Sequence, residues 1–349
     1  MRGQPETAGQ QGGPETGESL REAVTAAAGK LAAAPDVTLF GHVNPDADAL
    51  GSALALGRAL KKRGSEVRVS FGHPDKPAHS LRDLDVDGLI VPPSEVPSAP
   101  PLLVVCDSGS LGRLGRLADR VKGTIAAGGE VIVLDHHIAN TRYGTLNVLD
   151  ESAEATVLLV LRLLDELGAE LDLPTARCLY AGLVTDTRSF RHASAEVHRV
   201  AARLLDAGVD PEATTKPLLD THPFGFLGML AGVLSKAELE PSAAQGLGFV
   251  HTTVRKDQSE GLGSEDVDSV IDLIRTTGEA EVAAVLKEIG PDHWSVSLRA
   301  NSRVDVSHAA NACGGGGHRL ASGFTARGEE HEILAEIRKA LEDAPLLGS

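Results

Sequence analysis

Val131-Ile132-Val133-Leu134-Asp135-His136-His137 is an apolar run that ends in an acid and two adjacent imidazoles. So short a run of Val, Ile and Leu reads as a strand buried on both faces. Its polar end then falls where the chain leaves the sheet. Upstream, Val37-Thr38-Leu39-Phe40 leads in the same way into Gly41-His42, followed by Val43-Asn44-Pro45-Asp46-Ala47-Asp48. Leu102-Leu103-Val104-Val105-Cys106 likewise runs into Asp107. Each of these strands delivers His or Asp at its C-terminal end, and in open parallel sheets ligands bind beyond those ends.

The segments between the strands have helical length and spacing. Leu20 to Ala34 and Ala49 to Arg63 read as helices, the second closed by Gly64, and Glu66 to Phe71 as the next strand. This alternation predicts an α/β domain with a parallel sheet covered on both faces. Thr156 to Leu167, Ala176 to Val184 and Val197 to Ala207 continue as helices, the middle one running into Thr185-Asp186-Thr187. Gly208 to Gly225 holds three prolines and two glycines and reads as an inter-domain connection. Beyond it, strands at Leu247 to Val254, Ala280 to Lys287 and Trp294 to Ala300, with helical patterns at Val267 to Arg275 and His331 to Leu341, predict a smaller mixed α/β domain. Residues 1–18, almost all Gly, Gln, Glu, Pro and Thr, read as a disordered tail. The expected domains are therefore 19–207 and 226–345, joined by a linker at 208–225.

Composition sets the frame. A chain of 349 residues with 42% hydrophobic residues fits two ordinary cores. Aromatic residues make up only 3%, so stacking platforms for bases should be scarce. The net charge of −16 opposes any broad grip on long nucleic acid. There is no apolar run long enough for a membrane span and no apolar region of a secretory signal, which predicts a cytoplasmic protein without membrane contact. Cys106, Cys178 and Cys313 are far apart and form no C-x-x-C pair, so they read as small buried residues in a reducing compartment. The alanine-rich helices could support a homodimer, though nothing in their pattern demands one.

Two hard divalent cations held a few ångström apart need several carboxylates, one able to bridge, and imidazoles to fix the geometry. His42, Asp46, Asp48, Asp107, His136 and Asp186 form such a set. Each acid alone has a plainer use: Asp48 as a helix N-cap, Asp107 as a turn former before Ser108-Gly109, Asp186 as a helix-terminal cap. Two adjacent imidazoles after a buried strand have no such use, and it is the joint occurrence of all six that points to a metal centre.

Taken in order, His42-x-x-x-Asp46-x-Asp48-x-x-Gly51-Ser52, Asp107, Asp135-His136-His137, Thr185-Asp186-Thr187 and Gly314-Gly315-Gly316-Gly317-His318 resemble the DHH phosphoesterase family with its DHH-associated C-terminal domain. The resemblance implies a parallel-sheet catalytic domain, a smaller mixed α/β domain, and an active site in the cleft between them. It implies one ion on His42, Asp46 and Asp107, and a second on Asp48, Asp107, His136 and Asp186, with Asp107 as the bridge. Manganese is the expected metal, and the His/Asp set also accepts magnesium or cobalt. Asp135 would orient an imidazole and His137 would face the scissile phosphate. Arg299, His318 and the backbone of Gly315, Gly316 and Gly317 would bind substrate.

The glycine-rich motif resembles the branch that hydrolyses RNAs of two to five nucleotides. Some of its members remove the 3′-phosphate from 3′-phosphoadenosine 5′-phosphate or act on cyclic di-AMP and linear pApA. An inorganic pyrophosphatase of the same superfamily is the nearest alternative, and a nucleotide-binding regulator without catalysis a more distant one. Six intact candidate ligands speak against the regulator. Two positions depart from the pattern. Ala300 stands where Ser commonly follows the arginine, which leaves Ser302 to supply a hydroxyl, and Arg188 stands where Gly is common and is expected to face solvent.

Overall fold

The computed structural model describes residues 17–348. The predicted tail lies outside them except for its last two residues, Gly17 and Glu18, which begin the first helix. The chain divides into two compact units between Asp220 and Thr221.

In chain order the first unit contains α1 (Gly17–Ala33), β1 (Asp36–Gly41), α2 (Ala47–Lys62), β2 (Glu66–Phe71), β3 (Leu102–Cys106), α3 (Ala118–Ala126), β4 (Glu130–Asp135), β5 (Leu146–Leu149), α4 (Thr156–Glu166), α5 (Leu173–Asp186), α6 (Ala195–Asp206) and α7 (Pro211–Leu219). Its strands pair in the order β2-β1-β3-β4-β5. All four pairings are parallel. Alternate residues feed two cores. Leu39, Val104, Cys106, Ile132 and Leu134 join one with α1, α2, α4 and α5, while Phe40, Leu103, Val105, Val131 and Val133 join the other with Val121 of α3. The continuous apolar runs are thus explained by burial on both faces.

With β1 between β2 and β3, the chain leaves β1 to one side for β2 and then crosses back over β1 to reach β3 on the other. Such a reversal opens a crevice at the carboxyl ends of the two strands that flank it. His42 follows β1 and Asp107 follows β3 at that crevice. Helix α2, buried from Ala47 through Leu60, packs against α4, α5 and strands β1 to β3.

The stretch 208–225 contains the division between the units, and much of it is helical. Gly208, at φ 98°, ends α6, and Asp210 then caps α7 by accepting a hydrogen bond from the Ala213 N–H at 3.1 Å. Pro211 occupies the first helical position, where its missing N–H costs nothing. Of the prolines that suggested a connection, Pro211 starts α7 and Pro217 lies inside it, while Pro223 lies past the boundary, in the second unit.

The second unit adds α8 (Gly225–Leu234), β6 (Glu238–Glu240), the single turn α9 (Ala243–Gly246), β7 (Phe249–Val254), α10 (Ser264–Asp268), α11 (Val270–Ile274), β8 (Val282–Gly290), β9 (His293–Ala300), α12 (Val306–Ala312), β10 (Gly316–His318), β11 (Ala321–Arg327) and α13 (Glu330–Glu342). Its strands run in the order β10-β11-β9-β8-β7-β6. Only β7 and β8 are parallel, which makes the sheet mixed as predicted. The helical pattern at Val267 to Arg275 resolves into the two short helices α10 and α11. Cys106 and Cys178 are buried and Cys313 is half-buried, all as free thiols. Among the described residues, no helix is long and apolar enough to cross a membrane.

Candidate active site

His42 and His136 are oriented by the same device. His42 Nδ1 lies 2.8 Å from the Val43 carbonyl oxygen, and His136 Nδ1 lies 3.0 Å from that of Ala153. A carbonyl only accepts, so Nδ1 carries the proton and Nε2 is turned to the acids. His42 Nε2 is 3.4 Å from Asp46 Oδ2 and 3.6 Å from Asp107 Oδ2. His136 Nε2 is 3.5 Å from Asp107 Oδ1 and 3.5 Å from Asp186 Oδ2. The two oxygens of Asp107 therefore face different imidazoles. Asp107 leaves β3 at φ 56°, a left-handed conformation that Asp adopts more readily than most residues.

Asp46 caps α2, its Oδ1 accepting from the Ala49 N–H at 2.9 Å. Asp48 caps a different helix from the one its position suggested. Its Oδ2 accepts from the Thr156 N–H at 2.7 Å and its Oδ1 from the Val157 N–H at 2.9 Å, satisfying the first turn of α4. Asp186 is the last residue of α5, where the negative pole of the helix disfavours an acid.

The donor set fits divalent ions. Ligand atoms of His42, Asp46 and Asp107 lie within 4.8 Å of one another, and so do those of Asp48, His136 and Asp186. Donors about 2.1 Å from one cation are themselves separated by about 3 to 3.5 Å. The imidazole-to-carboxylate distances exceed those of good hydrogen bonds and match that spacing.

Electrostatics points the same way. Burial opposes charge on His42, yet Asp46 and Asp107 outweigh it and lift its pKa to about 10. The proton it holds supplies the positive charge an ion would bring. Burial and the Asp107 and Asp46 charges push Asp48 well above the carboxylate range. Burial and Asp48 do the same to Asp186. Asp107, despite burial, is held far below that range by the nearby His42 imidazole and by the charges of His137 and His136.

Asp135 accepts hydrogen bonds from the backbone N–H of His136 at 2.9 Å and of His137 at 3.3 Å, from His137 Nδ1 at 2.7 Å, and from Asn140 Nδ2 at 2.5 Å. Four donors occupy the acceptor capacity of one carboxylate, which makes it a support for His137. The two rings meet edge to face, with centroids 4.9 Å apart. Burial disfavours charge on His137, but its bond to Asp135 and the charge of Asp107 prevail and raise its pKa.

In the second unit, strand register aligns His318 with Ala321 and Ala321 with Arg299. Facing residues share one side of a sheet, so Arg299 and His318 stand in one row with a small residue between them. Gly316, Gly323 and Ser297 form the neighbouring row. Alternation sends Ala300 to the opposite face, where it is buried in the other core. The hydroxyl beside Arg299 thus belongs to Ser297, held by Lys287 Nζ at 2.9 Å. Ser302, the source the sequence suggested, is exposed and binds Glu281 through its N–H at 2.8 Å. The glycine run is needed for packing. A Cβ on Gly317, at φ 141°, would lie 2.6 Å from Ser322 Cα, and one on Gly315 2.2 Å from the Gly323 carbonyl oxygen.

Arg188 is half-buried rather than facing solvent. With Ser189 and Phe190 it forms three successive left-handed residues, at φ 49°, 56° and 64°. Glycine adopts this conformation without strain, which explains its frequency there. Arg188→Gly should stabilise the protein by about 1 kcal/mol, raising Tm by about 2–4 °C in a thermal melt. A lower Tm would mean that the arginine side chain contributes more than the strain costs.

Thr156, Asn140 and Ser297 stand beside candidate site residues and were missed by sequence reasoning. Ser297 had a signal, since it stands two before Arg299 on a strand. Thr156 had none, because its partners Asp48 and Asp107 are brought in by the fold, whereas Asn140 reaches Asp135 from only five residues along the chain.

The site and the sheet order define a class. Residues 36–183 match the DHH family, N-terminal domain, and residues 246–344 match the DHHA1 domain. The chain belongs to the DHH family. Among individual proteins, it is 34% identical over 313 residues to the bifunctional oligoribonuclease and PAP phosphatase NrnA of Thermus thermophilus, covering 88% of this chain and 90% of that one. A probable manganese-dependent inorganic pyrophosphatase of Deinococcus radiodurans is 28% identical over 165 residues, covering 44% of this chain and 48% of that one. The crystal structure of an exopolyphosphatase-related protein from Bacteroides fragilis has the same fold, with a TM-score of 0.82 at 21% identity, over 93% of this chain and 96% of that one.

Proposed function

We propose that this chain is a metal-dependent phosphoesterase that hydrolyses short oligoribonucleotides and small nucleotides to mononucleotides. One observation carries the reading: Asp107 presents Oδ2 to His42 and Oδ1 to His136, between two sets of His and Asp donors. In this reading His42, Asp46 and Asp107 hold one divalent ion, and Asp48, Asp107, His136 and Asp186 a second. Manganese suits the mixed imidazole and carboxylate donors. Ions bound there would lower the pKa of a water and offset charge on the phosphoryl oxygens.

The chain's own groups do the rest. Asp135 holds His137 by Nδ1, so Nε2 is the atom that meets a phosphate or leaving oxygen. Arg299 offers the planar fork that suits a phosphate, and His318 adds a hydrogen-bonding ring in the same row. The low row of Gly316, Gly323 and Ser297 leaves room for a nucleoside. With a net charge of −16, only local neutralisation at such sites favours an anionic substrate, and that limits binding to short ones. Similarity to NrnA along most of both chains supports this substrate class. The pyrophosphatase likeness spans less than half of either chain.

The test is turnover of the purified protein with manganese on 5′-pApA, 3′-phosphoadenosine 5′-phosphate, cyclic di-AMP and pyrophosphate. AMP should be released from pApA with a kcat/KM about 100-fold or more above that for pyrophosphate. Activity confined to pyrophosphate would establish the alternative enzyme. Silence on all four would leave a nucleotide-binding regulator.

A further inference from the structure

Thr156 touches one carboxylate from each of the two donor sets. Its hydroxyl donates to Asp107 Oδ1 at 2.8 Å, and its backbone N–H donates to Asp48 Oδ2 at 2.7 Å. The next N–H, of Val157, donates to Asp48 Oδ1 at 2.9 Å. Thr156 and Asp48 are fully buried, and Asp107 is 3% exposed.

A helix N-terminus is ordinarily capped by the side chain just before its first turn. Here that residue is Ala155, which offers none. Asp48 of α2 fills the role from far along the chain. The Thr156 hydroxyl is therefore not needed to cap α4, and it is spent on Asp107.

We propose that Thr156 is a positioning residue of the dinuclear centre, which fixes the rotation of the Asp107 carboxylate so that one oxygen serves each ion. The proposal rests on the two-ion reading above. A terminal carboxylate torsion is broad and two-fold, so Asp107 would otherwise sample orientations in which neither oxygen is aimed. A hydroxyl that donates to Oδ1 narrows that torsion and leaves a second lone pair on the same oxygen for an ion. The first turn of α4 thereby couples the two donor sets, holding Asp48 by its backbone and Asp107 by its side chain.

The test compares wild type, Thr156→Val and Thr156→Ser by calorimetric titration with manganese and by low-temperature EPR. Valine keeps the branched shape and removes only the hydroxyl. Wild type should take up two ions and give the spectrum of an exchange-coupled pair. Thr156→Val should bind the tighter ion within about threefold of wild type but the second about 10–100-fold more weakly, and the coupled signal should shrink at matched manganese. Thr156→Ser should restore both. Should valine prevent folding, Thr156→Ala against Thr156→Ser makes the same comparison.

Two ions bound by Thr156→Val with wild-type affinity and spectrum would overturn the proposal. So would a serine variant as impaired as valine, since packing and not the hydroxyl would then matter. A wild type that binds fewer than two ions would overturn the two-ion reading itself, and the control shows this before any variant is compared.

Discussion

Asp107→Asn should yield a folded protein whose metal-dependent turnover has fallen by about three orders of magnitude or more, a loss of about 4 kcal/mol in transition-state stabilisation. Asparagine keeps the volume, tolerates the left-handed backbone at φ 56° and can still accept from the Thr156 hydroxyl. What it lacks is the charge and the second oxygen. Removing that charge acts in two directions on the metal-free fold. It relieves Asp48 and Asp186, which the Asp107 charge helps to push up after burial, but it forfeits the interactions with His42, His137 and His136 that hold the Asp107 carboxyl far down. A depressed carboxyl stabilises the fold at neutral pH, so the metal-free variant should fold with a lower Tm than wild type.

The difference should widen when manganese is added. A ligand at 100 times its Kd stabilises by about 2.7 kcal/mol, which should raise the wild-type Tm by about 5–10 °C. The variant should show little of that rise. Turnover within a few-fold of wild type, or an undiminished shift with manganese, would remove Asp107 from the centre.

Gly182→Ala should produce the second large effect, by steric means. Gly182 lies in α5, and a Cβ there would stand 2.8 Å from Asp48 Cα, 2.9 Å from Asp48 Oδ1 and 2.7 Å from Val157 Cγ1. Two of these are a backbone atom and a carboxylate already held by α4, so the neighbours cannot easily yield. Overpacking of this kind costs about 3 kcal/mol, a drop in Tm of about 6–12 °C. The displaced atoms belong to Asp48, so manganese affinity should weaken as well. Gly29→Ala, in α1 with nothing near the added Cβ, should instead stabilise by about 0.5–1 kcal/mol. If the melts of the two variants were alike, the close approach of α5 to Asp48 would be refuted.

Much of this architecture is legible along the chain because its signals are local. A run such as Val131 to Leu134 is apolar at every position only when both faces of a strand are buried, and that implies parallel neighbours. The short strand β5, Leu146-Asn147-Val148-Leu149, escapes such reading because four residues carry too little pattern. β10 escapes it because Gly316 and Gly317 have low strand propensity and are held in place by pairing with β11. Helix α7, inside the expected linker, escapes it because Pro211 marks a helix start as readily as a loop.

By itself the sequence determined which residues are candidates for the site and where the buried strands end, since His42, Asp107 and His136 each follow an apolar run on the chain. Only the tertiary structure decided how they combine. The order β2-β1-β3-β4-β5 brings the ends of β1 and β3 side by side, and with them His42 and Asp107. It turns Asp48 from the expected cap of α2 into the cap of α4, and it gives Thr156 its place on Asp107. Propensity and periodicity act between neighbours in sequence, whereas these contacts join segments whose proximity is set by strand order and helix packing.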